Sequence, residues 1–179
     1  MGTLSLRTVL RAIAAAATAT IAVMFVYAAV QQTYRSGAND PQVQLAGDAA
    51  AALSAGAPVP AVVASDPVDM GSSLAPFVIV YDSADRPIAG SGHLNGALPA
   101  PPPGVLALAR KGGWHSVTWQ PSRHVRIAAV LRRADDASGR VVLAGRSLRE
   151  VEERESRLLL MSVLAWGALL VTSIVSAVL

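Results

Sequence analysis

A glycine-rich stretch is the first part of this chain whose residue spacing could do chemistry. Residues 90–96 read Gly-Ser-Gly-His-Leu-Asn-Gly, which is the pattern GxGxxxG and resembles a phosphate-binding loop. Loops of this kind open a helix, whose first backbone N–H groups hold the phosphate. Prolines follow here instead, at positions 99 and 101–103. The stretch is therefore better interpreted as a strand or turn than as a nucleotide site.

The histidines and carboxylates show no catalytic or metal-binding arrangement. His93, His115 and His124 do not have the spacing of metal ligands, and the chain has no cysteine. Neither a GxSxG nucleophile motif nor an HExxH zinc motif occurs in the sequence. The carboxylates gather in turns and in one late helical stretch, where solvation explains them. The sequence thus predicts no enzyme, no metal site and no bound cofactor.

Three side chains are candidates for contacts with a small-molecule ligand: His93, Trp119 and Arg126. Trp114 and Trp119 lie five residues apart on one predicted strand, so alternation places them on opposite faces. We expect one of them in the core and the other at a pocket. Arg126 belongs to a largely apolar strand and is expected to lie over a half-buried surface. The alternative is that all three are structural or exposed residues.

The excess of basic over acidic residues in the chain does not indicate nucleic-acid binding. The formal net charge is +3, but residues 31–157 hold thirteen Arg and Lys against twelve Asp and Glu. The surplus comes mainly from Arg7 and Arg11, beside an apolar segment. Nucleic-acid binders concentrate positive charge on one face or stripe, and this sequence shows no such concentration. We therefore expect the positive charge to serve membrane topology.

Two stretches are long and apolar enough to cross a membrane. Arg11 and Arg35 bracket 23 uncharged residues, and residues 158–179 carry no charge at all. About 20 apolar residues in a helix cross a hydrocarbon layer of ~30 Å, so we predict transmembrane helices at 12–30 and 158–179. A cleaved signal peptide is the alternative for the first stretch. Its apolar region normally runs about 7–15 residues and ends at a small-x-small site, which Tyr27 does not fit.

The arginines near the N-terminus predict the orientation in the membrane. By the positive-inside rule, Arg7 and Arg11 place residues 1–11 in the cytoplasm. Two crossings then return the C-terminus to the cytoplasm and leave residues 31–157 as an extracytoplasmic domain. Fourteen arginines against one lysine are typical of a GC-rich bacterial genome. The expected location is the bacterial inner membrane.

Small residues form one stripe along the first predicted span. Ala12, Ala16 and Thr20 are spaced four apart, which permits close contact between helices. One hypothesis is a homodimer formed through this stripe. The other is that the stripe arises by chance in a segment rich in alanine.

The region between the spans predicts an α+β domain with a five-stranded antiparallel sheet. A long helix is expected from Pro41 to about Ala55, followed by an irregular segment at 56–75. A short helix is expected at 105–111, ended by Gly112 and Gly113. Apolar runs bounded by turn residues predict the strands, which are 77–81, 88–94, 114–120, 125–133 and 140–147.

The exit from the last strand predicts a juxtamembrane helix at 147–157. Ser147 and Glu150 have the spacing of a capping box, in which each side chain bonds the other residue's backbone N–H. Pairs of Glu and Arg four residues apart follow, and neither glycine nor proline interrupts the stretch before Gly167. One helix is therefore expected to run from the sheet into the second span. Val151 lies in its first turns, where a proline would break it.

Several of these segments together resemble the input half of bacterial sensor histidine kinases, an extracytoplasmic PAS-like domain of the single-Cache type between two spans. The resemblance rests on residues 76–82, the turn through Arg86 and Pro87, residues 88–92, and the exit at 144–152. It implies a ligand pocket on one sheet face, covered by the short helix and a loop. Such sensors continue into a dimerisation helix and an output domain. This sequence has neither after residue 179, so kinase activity is not carried over.

The leading hypothesis is a sensory or ligand-binding module that lacks its own output domain. Its expected partners are a small-molecule ligand, membrane lipid, and an output carried by a separate histidine kinase, by another chain or by a longer form of this receptor. Ser147, Glu150 and Val151 would belong to the signal-transmitting helix. The alternative is a membrane accessory or assembly protein that uses the same domain for protein contacts.

Overall fold

This computed structural model describes residues 6–37 and 40–178 of the chain. The chain separates into two compact units. One unit is the folded region Ser36–Glu150, and the other pairs the terminal segments Met1–Arg35 and Val151–Leu179. Residues 1–5 of the predicted cytoplasmic segment and Leu179 of the second predicted span lie outside the described residues.

The two terminal helices have the length and composition of membrane spans. Helix α1 is Leu6–Gly37, and the last helix, α4, is Arg149–Val178. Their apolar segments Leu6–Thr33 and Arg149–Ser176 have mean hydropathies of 2.1 and 2.3, and none of either apolar window is buried inside the protein. The core helix of a soluble protein would be mostly buried. The prediction of two helices able to cross a membrane is confirmed.

The folded region is an α+β domain, as predicted. Helix α2, Asp40–Ser54, precedes the strands, and helix α3, Pro103–Gly112, lies between the fourth and fifth strands. The seven strands are β1 Val68–Asp69, β2 Phe77–Tyr81, β3 Pro87–Gly90, β4 Gly92–His93, β5 Trp114–Ser122, β6 Val125–Arg133 and β7 Val141–Ser147. Five of them form one antiparallel sheet in the order β3-β2-β7-β6-β5, so that β7 is the central strand.

Each face of the sheet packs against one helix. Tyr81, Trp119 and Leu143 lie on the face that α3 covers, where Leu106 of α3 is fully buried. Val80 and Val142 lie on the other face, which α2 covers. The side of α2 that is buried there is formed by Gln42, Ala46, Ala49, Ala50 and Leu53. Because successive side chains of a strand point to opposite faces of the sheet, the buried strands contribute core residues on both faces.

The packed side of α2 differs slightly from the one the sequence suggests. Val43 continues the apolar spacing of Ala46, Ala50 and Leu53, yet its side chain is 43% exposed. Gln42 is buried instead, at 1% exposure. Alanine occurs on most sides of this helix, so its apolar periodicity does not fix its rotation about its own axis.

The guanidinium of Arg110 holds α3 to two turns of the domain. Its Nε donates to the carbonyl of Gly139 at 3.2 Å, and its Nη2 donates to the carbonyl of Asp82 at 2.9 Å. Its Nη1 lies 2.6 Å from Asp85 Oδ1. The helix then ends at Gly113, which adopts the left-handed conformation with φ of 81°. The predicted end of this helix is therefore confirmed.

Two segments differ from their predicted structure. The stretch 56–75 was expected to be irregular, but it contains a short 3-10 helix at Val59–Val62 and the strand β1. The partner of β2 was expected to run over 88–94, but β3 ends at Gly90. Residues Gly92–His93 pair with β1 in a separate parallel sheet.

Ser91 explains why the chain changes partner at this point. Its backbone N–H donates to the carbonyl of Val78 at 2.8 Å, and its Oγ accepts from the Val78 N–H at 3.1 Å. Its carbonyl instead accepts from the N–H of Val68 in β1 at 2.7 Å. Ser91 thus completes its bonds to β2 through its side chain, and its carbonyl begins the pairing of β4 with β1.

The ring of Phe77 packs into the space that two glycines leave. A Cβ atom on Gly92 would lie 2.2 Å from Phe77 Cδ2, and one on Gly145 would lie 2.5 Å from Phe77 Cζ. Gly145 is the cross-strand partner of Phe77, and the ring is buried at 2% exposure. Only glycine fits at these two positions without a shift of the ring.

We predict that Gly145→Ala destabilises the domain by about 1–3 kcal/mol, the usual cost of overpacking a core. The added methyl group would also lie 2.9 Å from Ile127 Cγ2, so two side chains must move. Urea unfolding followed by tryptophan fluorescence measures the change. Gly104→Ala is the control, since nothing lies within 4 Å of a Cβ there. Equal stability of the two variants would contradict this packing.

Candidate functional site

The three predicted ligand-contacting residues lie in different surroundings. Trp119 is buried at 6% exposure on the face that α3 covers. His93 is half-buried in β4, and its Nδ1 lies 3.0 Å from the carbonyl of Ser91. Since a carbonyl only accepts, Nδ1 carries the proton in this contact. Arg126 is exposed at the start of β6.

The structure does not bring Trp119 and Arg126 to one site. Trp119 is paired with Ile127 across β5 and β6, and both side chains belong to the cluster beneath α3. Arg126 precedes Ile127, so its side chain lies on the opposite face. The prediction that Trp114 and Trp119 lie on opposite faces fits this arrangement, because Trp114 is 52% exposed and Trp119 is buried.

The residues of the predicted signal-transmitting helix lie at the passage from β7 into α4. Ser147 ends β7, Leu148 follows, and α4 begins at Arg149. Ser147 Oγ accepts from the Arg149 N–H at 3.3 Å, which satisfies one of the unpaired donors at the helix start. The Leu148 N–H donates to the carbonyl of Arg126 at 2.8 Å. The helix thus begins while the chain is still bonded to the sheet.

Glu150 and Arg146 form an ion pair across this passage. Arg146 Nη2 donates to Glu150 Oε2 at 2.9 Å, and the two side chains are 41% and 32% exposed. Exposed pairs of this kind contribute roughly 0–1 kcal/mol. The pair therefore orients the first turn of α4 more than it stabilises the fold.

Two arginines connect the same passage to the loop that follows β1. Arg146 Nε donates to the carbonyl of Leu74 at 3.1 Å, and Arg149 Nη2 donates to the carbonyl of Ser72. These two arginines, Ser72, Leu74 and Asp69 are called the junction clamp below. They bring together residues more than seventy positions apart in the chain.

Asp69 holds the loop side of the junction clamp in shape. Its Oδ1 accepts from the Gly71 N–H at 2.9 Å, and its Oδ2 accepts from Ser72 Oγ at 2.7 Å. The hydrogen bond from Ser72, and then that from Gly71, lowers the pKa of Asp69 below its ordinary value of 3.8. The carboxylate form is thus the one that orders the loop.

The junction clamp continues into the strand that carries His93. Asp69 is the register partner of His93 in the parallel sheet of β1 and β4, and the Met70 N–H donates to the His93 carbonyl at 2.9 Å. Met70 is itself buried in the cluster beneath α3 that contains Trp119. One connected set of contacts therefore joins that face of the sheet to the start of α4.

The predicted capping box of Ser147 and Glu150 is replaced by other contacts, because Ser147 Oγ accepts from the Arg149 N–H and Glu150 pairs with Arg146. Sequence reasoning also missed Asp69, Arg146 and Arg149. Asp followed two and three positions later by Gly and Ser is a turn signature, and it could have marked Asp69 as a loop organiser. No local pattern indicates which carbonyl groups the two arginines reach. Within the part of the chain that the structure describes, no group of three or more His, Asp or Glu side chains is placed to hold a metal ion.

The terminal helices form a second feature inside their own unit. The indole Nε1 of Trp166 donates to Thr20 Oγ1 at 2.8 Å, and Thr20 Oγ1 donates to the Ala16 carbonyl at 2.8 Å. A cavity of about 180 Å³, open to the protein surface, lies between the helices. It is lined by four residues of α1 from Thr20 to Tyr27 and four of α4 from Leu159 to Trp166. Thr20 of the small-residue stripe thus contacts α4 of its own chain.

No protein-family model, curated protein or solved structure matches this chain. The resemblance to PAS-like sensor domains is supported by the residues and by the architecture alone.

We predict that Asp69 stabilises the domain only above the pH at which it is protonated. Because its pKa is lowered on folding, its contribution is complete above the ordinary value of 3.8 and is lost as the pH falls through the folded value. The difference in urea midpoint between wild type and Asp69→Asn should shrink on acidification. Asp66→Asn, which changes an exposed carboxylate nearby, is the control. A difference that does not change with pH would argue against the proposed role of Asp69.

Proposed function

We propose that this chain is a membrane-anchored sensory module with a PAS-like, single-Cache domain, which passes a signal through α4 to an output carried elsewhere. In this proposal α1 and α4 cross the bacterial inner membrane, both termini are cytoplasmic, and the domain is extracytoplasmic. The observation that carries the proposal is the direct passage of the central strand β7 into a 30-residue helix. A tether would be expected to contain a flexible linker at this point.

The sheet topology supports a PAS-like domain. The first and last strands of the five-stranded sheet, β2 and β7, are neighbours, and the crossover that contains α3 leads from one edge strand to the other. The face beneath α3 is also covered by the proline-rich segment, since Tyr81 Oη donates to the Pro99 carbonyl at 2.8 Å. This is the face on which the resemblance places a ligand pocket.

A small-molecule ligand would act on the face that carries Trp119. Displacing β4 there would move β1, because the Ser91 carbonyl accepts from the Val68 N–H and the His93 carbonyl accepts from the N–H of Met70, which follows β1. Movement of β1 would shift Asp69 and the carbonyl of Ser72 to which Arg149 donates. The junction clamp would thereby change the direction or rotation of the first turn of α4. The side chain of Arg126 lies on the other face of the sheet, while its carbonyl accepts from the Leu148 N–H at the start of α4.

A second candidate function is an accessory or assembly protein that uses the domain for protein contacts. The edge strand β5 favours it. This strand has nine residues without a charged side chain, and Trp114 at its start is 52% exposed. Uncharged edge strands of this length are available for pairing with another chain.

Topology is the first test of the proposal. A reporter that is active only outside the cytoplasm should be active when fused after residue 100 and inactive when fused after residue 179. The reason is that Arg7 and Arg11 hold the N-terminus inside. The opposite pattern would overturn the orientation.

Helix continuity is the direct test of signal transmission. A kinase output is grafted after Leu179, and its activity is compared in wild type and Val151→Pro. A proline in a helix interior costs about 3 kcal/mol locally, so we expect the output to lose its response while the domain stays folded and inserted. Val151→Ala and Glu152→Gln are the matched controls and should behave as wild type. If the proline variant signalled like the wild type, α4 would serve only as a membrane anchor, and signal transmission through it would be ruled out.

A further inference from the structure

The cavity between α1 and α4 has regular walls. Its α1 wall is formed by Thr20, Val23, Met24 and Tyr27, and its α4 wall by residues at the same spacings between Leu159 and Trp166. Spacings of three, four and seven residues place side chains along one face of a helix. Each helix therefore contributes one complete stripe, and the surface of the cavity is apolar.

The Trp166–Thr20 hydrogen bond fixes one wall of this cavity. The indole N–H and the threonine hydroxyl are both satisfied, because Thr20 Oγ1 accepts from Trp166 and donates to the Ala16 carbonyl. Hydrogen bonds between helices stabilise their packing within a bilayer. The ring is thus held in place. Tyr27 and Ser162 also line the cavity, but its accessible surface is apolar.

We propose that this cavity binds the acyl chain of a membrane lipid. The inference rests on the proposed function, in which both helices cross the bilayer. The cavity is open to the protein surface, so an acyl chain can enter it directly from the surrounding lipid. Its volume of about 180 Å³ suits a segment of one hydrocarbon chain, and hydrocarbon is the solvent at this depth of a bilayer.

Two further observations favour a lipid chain over a second copy of the protein. The hydroxyl of Thr20, which a second helix would approach through the small-residue stripe, is already bonded to Trp166. Apolar contacts alone supply little driving force between helices in lipid. A bound acyl chain would expose the transmitting helix α4 to a second input, the composition of the bilayer.

The test is quenching of Trp166 fluorescence by phospholipids brominated on their acyl chains. The full chain is reconstituted in such vesicles, and Trp166→Phe provides the signal of the other two tryptophans for subtraction. Val163→Phe fills the cavity from α4, and Val23→Phe fills it from α1. Leu164→Phe adds the same ring at an exposed position that does not line the cavity. We expect quenching to fall in both filling variants and to stay at the wild-type value in Leu164→Phe.

The outcomes separate this inference from the proposed function. Equal quenching in all four proteins would overturn the acyl-chain site while leaving the membrane spans in place. Absence of quenching at every bromine depth would show that α4 is not in the bilayer and would overturn both. Quenching that rises when the protein is diluted with lipid, together with loss of a cross-linked dimer, would identify a second copy as the occupant and overturn the lipid site. If benzene at low occupancy displaced the brominated acyl chain and relieved the quenching, the cavity would be a site for small apolar solutes. That result would also overturn the acyl-chain proposal.

Discussion

The central strand of the sheet and the last helix are joined by one residue, and this connection constrains the rest of the structure. Strand β7 is hydrogen-bonded to a neighbour on each side, and five of its seven residues are buried. Leu148 is still bonded to the carbonyl of Arg126 when the chain turns into α4. The start of the helix is therefore tied directly to β6 and β7.

The interactions that surround this connection are individually weak, and their arrangement matters more than their sum. The Arg146–Glu150 pair is partly exposed and contributes roughly 0–1 kcal/mol. The clamp contacts of Arg146 and Arg149 end on backbone carbonyls of a surface loop. Such contacts can break and form again without unfolding the core, which is buried on both faces of the sheet. The domain thus combines a core that is buried on both faces of the sheet with a junction held by weak, exposed contacts.

Much of the fold could be predicted from local patterns, and the site could be predicted only in part. The strands at 77–81 and 125–133 were predicted with the bounds that the structure shows, because buried apolar runs between turn residues leave little choice. The strands of two residues, β1 and β4, escaped prediction, since backbone pairing around Ser91 creates them. Trp119 and Arg126 lie on opposite faces because the pairing register of β5 and β6 shifts between Trp119 and Ser122. The spacing of residues within one strand cannot reveal how that strand is paired with its neighbour. The contact between Arg149 and Ser72 joins distant segments and has no sequence signature.

Helix α4 runs without interruption from the sheet into the apolar segment, and amide hydrogen exchange of the full chain in lipid bilayers can measure this continuity over residues 149–160. A continuous helix should protect the amides throughout this stretch after the first turn, continuous with the protection of β7. A run of rapidly exchanging amides between Glu150 and Leu158 would show a flexible linker there and would rule out a continuous helix.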